Sequence, residues 1–194
     1  MALRRIVRYP EPELRQPTVA VPEAEVTSAA IRELVADMTE TMYAQNGAGL
    51  AAVQINRPER VFVIDGHIAG GTEQDPPLVF INPTIDWLSE ETETRDEGCL
   101  SFPGVFVPIK RALKARVSAF NLKGERVTVE AAELYARALQ HEYDHLSGRL
   151  IVDFVGAVKR EIIKRKMKRV AREEREEREE REEAATGGGE PRAL

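Results

Sequence analysis

Two histidines and a glutamate carry the strongest chemical signal in this 194-residue chain. They stand in the run Gln140-His141-Glu142-Tyr143-Asp144-His145, which contains the spacing H-E-x-x-H. Residues four apart on an α-helix are separated by about 40° in projection, so both imidazoles leave one helix face and can share a divalent ion. Glu142 lies beside that face, where its carboxylate can reach a water next to the ion and exchange a proton with it. A catalytic ion takes three protein ligands and keeps one position open, so a third ligand has to come from elsewhere in the chain.

Two protease arrangements place that ligand downstream. In H-E-x-x-H-x-x-G-x-x-H the chain matches through Gly148, but Ile151 stands at the last histidine. The other arrangement takes a glutamate further along, where this chain has Lys164-Arg165-Lys166 with Glu161 as the one nearby acid. An H-E-x-x-H zinc peptidase is therefore the alternative reading and not the first. His67, in Asp65-Gly66-His67 ahead of a loop of Ala, Gly and Thr, reads as a surface histidine. Cys99 is the chain's one cysteine and can form no internal disulfide. Its setting Glu97-Gly98-Cys99-Leu100-Ser101 is acidic and small, which suits a thiolate ligand better than a core thiol.

In these residues the chain resembles the peptide deformylases. Three segments carry the resemblance and occur in the family order: Gly47-Ala48-Gly49-Leu50-Ala51-Ala52-Val53-Gln54, then Glu97-Gly98-Cys99-Leu100-Ser101, then Gln140-His141-Glu142-Tyr143-Asp144-His145-Leu146. A proline-rich arm ending in Leu14-Arg15 is similar to the family start, so the resemblance covers about residues 4–158. It implies a metal-dependent hydrolase that removes the N-formyl group from the N-terminal methionine of newly synthesised proteins and releases formate. It implies Cys99, His141 and His145 as metal ligands, and Glu142 as the acid and base. The side-chain amide of Gln54 and the backbone N–H of Leu100 would be the donors to the oxyanion. Gly49, Ala48 and Leu134 would border the substrate side chain, with Gly49 letting an extended peptide approach the main chain.

Two positions depart from the family pattern: Ala48 stands where isoleucine is common, and Phe102 where a smaller β-branched residue is frequent. Neither removes a catalytic atom, and Ala48 leaves room for a wider substrate side chain. One thiolate and two imidazoles accept zinc, iron, cobalt or nickel; the resemblance implies Fe2+, with Zn2+ often found in its place. A ligating imidazole usually donates its other N–H to a fixed acceptor, which makes Glu97, Asp144 and Arg111 candidates for support of the site. The Gly47-Ala48-Gly49 run does not read as a dinucleotide loop, because a helix and not a strand comes before it.

The elements that must position these groups are legible in outline. Residues 1–26 carry Pro10, Pro12, Pro17 and Pro22 and predict an extended arm. Ile31, Leu34, Val35, Met38 and Met42 recur at helical spacing after a Thr27 or Ser28 cap, and Asn46-Gly47 is the stop. Runs rich in β-branched and aromatic residues at 60–65, 77–81, 105–109, 114–121 and 126–130 predict short strands, with a hairpin turn at 122–125. Residues 131–146 predict a second helix ended by Gly148, and a last helix is expected from about Val155. The fold class is α+β: short, mostly antiparallel strands around a central helix carrying the metal motif, with an extra C-terminal helix.

Composition bounds the rest. The chain is 42% hydrophobic and 31% charged, which suits one compact domain, residues 1–158, followed by a charged helix at 159–183 and a disordered tail at 184–194. The EER repeat pairs charges at i,i+3 and i,i+4 but has nothing to bury, so it is expected to fray. A formal charge of -5 gives no reason to expect DNA binding. Its distribution is uneven: residues 1–158 hold 16 basic and 23 acidic residues, 159–171 hold seven and one, and 172–194 hold five and nine. The basic segment 159–171 suggests ribosome contact, beside formylmethionyl nascent peptides as substrate. No stretch approaches the ~20 apolar residues of a membrane span, and the start lacks a signal-peptide core, so a cytoplasmic protein is expected.

Overall fold

A computed structural model describes the backbone of residues 2–72 and 75–186, and side chains as far as residue 180. The chain opens with an arm that makes two short 3-10 turns, Pro12–Arg15 and Glu23–Glu25, and one parallel bridge between Val19 and Glu59. Helix α1 (Ala29–Ala44) starts where the Ser28 hydroxyl accepts the N–H of Ile31 at 3.3 Å, and it stops at Asn46, whose φ is 52°. Strands β1 (Gly49–Ala51) and β2 (Val61–Ile64) follow, then β3 (Leu78–Leu88), β4 (Thr92–Glu97), β5 (Val107–Ala112), β6 (Lys114–Phe120) and β7 (Arg126–Ala132). Helix α2 (Glu133–Leu146) carries the H-E-x-x-H motif, and α3 (Ala157–Thr186) ends the described chain.

All named strand pairs are antiparallel, in a five-stranded sheet of order β1-β2-β3-β6-β7 and a separate β4-β5 ribbon. Helix α2 lays Ala136, Leu139 and Leu146 on sheet residues that include Phe62, Ile64, Phe80 and Val117, while α1 packs its Ile31, Leu34, Met38 and Met42 in a second cluster with Leu50 and Val63. A third cluster joins the arm (Val7, Leu14) to β5 and to Ile163 and Met167 of α3. Each fully buried large apolar side chain contributes about 1.5–3 kcal/mol, so the clusters fix α2 and α1 on the sheet and the arm and α3 on the ribbon.

Strands β3 and β4 and helices α2 and α3 differ from their sequence pattern, each for a physical reason. Strand β3 runs past 81 because Asn82-Pro83 is a bulge and not an end: Asn82 adopts φ 52° and its amide bonds both the N–H and the carbonyl of Val21, at 2.8 and 2.7 Å. Strand β4 reads Thr-Glu-Thr-Arg-Asp-Glu, without apolar alternation, and is held by its backbone register with β5 from Thr92↔Ala112 to Glu97↔Val107. Helix α2 begins at Glu133, without a side-chain cap, because β7 continues to Ala132. The Glu133 N–H instead reaches the Leu113 carbonyl at 2.8 Å. Helix α3 is continuous through the EER repeat to Thr186, past the expected fraying and past the boundary at 183; the rest of the expected tail, residues 187–194, lies outside the described residues.

Candidate active site

Helix α2, the turn after β1 and the loop after β4 meet at one point. The Cys99 sulfur and one nitrogen from each of His141 and His145 lie within 4.8 Å of one another. Cys99 Sγ is 3.3 Å from His145 Nε2, and the two imidazoles meet edge to face with centroids 5.1 Å apart. Among the described residues this is the one cluster of three such ligand atoms. A thiol and two imidazoles are donors for a borderline-soft divalent ion, and two buried atoms of the site, Glu142 Oε2 and His145 Nδ1, have no hydrogen-bond partner. The residues present therefore fit a metal ion.

Electrostatics differ sharply among these neighbours. Burial pushes the Glu142 carboxyl up to about 7, and the nearby Glu97 charge adds to the rise against the opposing pull of His141 and Arg111. A carboxyl poised there can both take and give a proton near neutrality. Burial, with His141 and Arg111 beside it, holds His145 well below the ordinary histidine range. Burial would do the same to His141, but the Cys99 sulfur and the Glu97 carboxylate outweigh it and raise that imidazole well above its usual value.

Glu97, delivered by the last residue of β4, is the hub of a buried network. Its carboxylate accepts His141 Nδ1 at 3.0 Å, the Arg111 fork through Nε and Nη2 at 3.0 Å each, and Arg137 Nη1 at 2.6 Å. Burial opposes the charge, yet the His141 and Arg111 bonds win and bring its pKa down to about 2. Arg111 spans to Asp144 at 2.5 Å, so Asp144 touches the arginine and not a histidine. Arg137, which the sequence pattern did not single out, also donates to the Ile109 and Glu93 carbonyls at 3.0 and 2.9 Å. Gln140 ties α2 to β5, its amide accepting from Ala112 N at 3.1 Å and donating to Ala112 O at 2.9 Å. The one signal available for both is helical phase: Arg137 is four residues before His141, on the same face.

The other predicted residues surround a cleft of about 510 Å³ that the cluster opens into. Gln54 is buried in the 3-10 turn Ala52–Ile55, where its Oε1 accepts the Ala51 N–H at 2.8 Å. That bond aims the amide nitrogen at Ser101 Oγ, 3.2 Å away, and at Cys99 Sγ, 3.5 Å away. Leu100, Ala48, Gly49 and Glu142 line the cleft, with the exposed Leu134 and Phe106 at its rim. Phe102, also on this wall, is buried and stacks on Tyr9 at 4.9 Å. Arg111 and Asp144 stand behind it. His67 is exposed on the far turn Gly66–Ala69, away from the cluster.

A half-buried thiol, two helix-borne imidazoles and a carboxyl held near neutrality, set in a cleft beside strand β1, define a metal-dependent hydrolase. A family model described as Polypeptide deformylase matches residues 3–161. The chain is 44% identical over 174 residues to a peptide deformylase of Bartonella tribocorum, covering 89% of this chain and 95% of that protein. It is 43% identical to one of Acinetobacter baumannii, covering 89% and 94%. The crystal structure of peptide deformylase from Ehrlichia chaffeensis matches the fold with a TM-score of 0.80 at 35% identity, covering 89% of this chain and 99% of that one. The same Ehrlichia enzyme in complex with actinonin gives 0.79 at 36% identity, covering 87% and 98%. This chain belongs to the peptide deformylase family.

Proposed function

We infer that this protein hydrolyses the N-formyl group from the amino terminus of newly synthesised chains, leaving formate and a free amine. The observation that carries the reading is the convergence of Cys99, His141 and His145 beside a buried Glu142 whose Oε2 has no partner. Cys99, His141 and His145 would hold the ion, which when bound supplies Lewis acidity to water and to the formyl oxygen. Glu142 accepts the proton of the attacking water and returns it to the amine nitrogen as the C–N bond breaks. The Gln54 amide and the Leu100 N–H donate to the oxygen that becomes negative. Strand β1 pairs only with β2 in the sheet, so its other edge can receive the peptide as an added strand, with Ala48 and Leu134 beside the first side chain. Glu97, backed by Arg111 and Asp144, fixes the orientation of His141.

We propose ferrous iron as the native ion, on the resemblance to the peptide deformylases; one thiol and two imidazoles take zinc, nickel or cobalt as well. The endopeptidase alternative finds no support: Ile151 is buried in the core, and Glu161 is exposed on α3. The basic segment 159–171, exposed except at Lys164 among its charged residues, supports contact with ribosomal RNA near the nascent chain, and with it a cytoplasmic setting. Formate release from a formyl-Met-Ala peptide by protein loaded anaerobically with Fe2+ tests the reaction. Glu142→Ala is expected to lower kcat by about 10²–10⁴. No formate from folded, metal-bound protein, or an unimpaired Glu142→Ala, would overturn the reading.

A further inference from the structure

The loop leaving β4 has three consecutive carbonyls held by donors. Cys99 O accepts the Phe102 N–H at 2.8 Å, Leu100 O accepts Arg8 Nη1, and Ser101 O accepts the Tyr9 N–H at 3.0 Å. One residue earlier on the arm, the Val7 N–H bonds Gln54 O at 2.7 Å. Residues 7–9 therefore strap together the two segments that carry Gln54 and Leu100. The contacts of Val7 and Tyr9 are main-chain bonds that most sequences would make. The hold on Leu100 depends on one side chain.

Arg8 is itself held from the other side. Its Nε donates to Glu174 Oε1 of α3 at 3.1 Å, and its side chain is 16% exposed against 42% for the glutamate. The guanidinium is thus stretched between a helix built of charge repeats and the carbonyl of a cleft residue. Helix α3 also touches the far end of this loop, where Lys166 Nζ donates to Gly104 O at 2.6 Å. Gly98 precedes the pinned residues, and no strand ladder reaches 98–106 to fix its peptide planes.

We propose that Arg8 is a positioning residue for deformylation: its guanidinium fixes the Leu100–Ser101 peptide through the Leu100 carbonyl, the Phe102 N–H fixes the Cys99–Leu100 peptide through the Cys99 carbonyl, and Leu100, clamped on both sides, keeps its N–H toward the developing oxyanion, with Glu174 keeping Arg8 extended. The inference rests on the reading of Leu100 as an oxyanion donor. A preorganised donor stabilises the transition state more than bound substrate, so losing its alignment lowers kcat and leaves KM nearly unchanged. The EER helix acquires a role from this: it braces the site through one salt bridge.

The test uses the full chain loaded with metal. Arg8→Met keeps the stem and removes the donors; it is expected to lower kcat about tenfold, short of the roughly hundredfold cost of deleting an oxyanion donor, with KM within about twofold. Arg8→Lys restores a cation that can reach Leu100 O and should return kcat to within about threefold of the parent. Glu174→Lys, which leaves Arg8 in place but repels it, should lower kcat about threefold with the melting temperature unchanged. Amide hydrogen exchange supplies a readout apart from turnover: protection at 100–102 should fall in Arg8→Met while α1 stays protected. Parent-like kcat and exchange in Arg8→Met, or an Arg8→Lys as slow as Arg8→Met, would overturn the proposal. Should Arg8→Met unfold, the Glu174→Lys result decides. Absence of formate from the parent protein would instead sink the deformylase reading, and the exchange data would still report whether Arg8 holds the loop.

Discussion

Gly49 leaves no space for a side chain, because a Cβ there would lie 2.6 Å from Glu142 Oε1 and 3.0 Å from its Cδ. Gly49→Ala should displace the Glu142 carboxyl, the acid and base of the proposed reaction; formate release is expected to fall by about tenfold or more, since misplacement of about 1 Å can cost 10²-fold. A melting curve close to the parent's would separate this from unfolding. Arg111 makes a different kind of prediction. It is 7% exposed and holds both Glu97 and Asp144, so Arg111→Met strips Asp144 of its short ion pair and leaves Glu97 with Arg137 as its one remaining arginine. Breaking a buried pair in this way costs about 3–5 kcal/mol, to be read from denaturant unfolding. With Glu97 held less firmly behind His141, metal affinity by chelator competition should also drop, by about 10-fold or more. The sequence displays the α2 histidines as a short motif because two side chains aimed at one point from a single helix need a fixed spacing, and Glu97 is legible beside Cys99 because the two share one short turn. Arg137 and Gln140 escaped because their spacing matches any polar helix face, and only tertiary packing turns them inward.

Helix α1 and the β6-β7 hairpin were readable as elements because each is closed by local chemistry: the Ser28 cap, Asn46, and Gly124 at φ 78°. Strand β4 was not, since its stability comes from pairing with β5 and not from its own residues. The arm shows the same dependence on what it meets. Asp37, inside α1, accepts the Ala2 N–H and Arg4 Nε at 2.7 Å each, which ties the start of the arm to the body. Burial by itself would raise the Asp37 pKa, but the bonds from Arg4 and Ala2 bring it below its ordinary 3.8. A carboxyl whose folded pKa is depressed stabilises fully above the unfolded value and loses that contribution as pH falls through the folded one. Exchange protection of amides 4–9 should therefore weaken in the parent only below 3.8. Asp37→Asn should show the weakened latch already at neutral pH, with little further change in acid. An arm equally protected in both proteins at neutral pH would remove Asp37 as the latch.

At the scale of the whole molecule, an acidic body with 16 basic and 23 acidic residues presents one segment of opposite sign, seven basic against one acidic over 159–171. Ile163 and Met167 are buried against the body, which leaves Lys159 and Lys168 facing outward on α3 with Lys164 half-buried beside them. An RNA contact through this segment would release counterions, so the logarithm of ribosome affinity should fall with log salt by about 0.7–0.9 for each phosphate neutralised. Changing Lys159, Lys164 and Lys168 to Glu should abolish co-sedimentation and leave turnover of free formyl peptides intact. The acidic residues that follow act in the opposite sense. Converting Glu176, Glu177, Glu179 and Glu180 to Gln removes repulsion from RNA and should raise ribosome affinity with kcat unchanged, because none of them touches Arg8. Adding Glu174→Lys should raise affinity again while lowering kcat, since that one glutamate also braces the site. Affinity and turnover moving in opposite directions at Glu174, and independently at its neighbours, is the pattern expected of a helix that carries two separate contacts; a parallel loss of both would mean that α3 acts only by stabilising the fold.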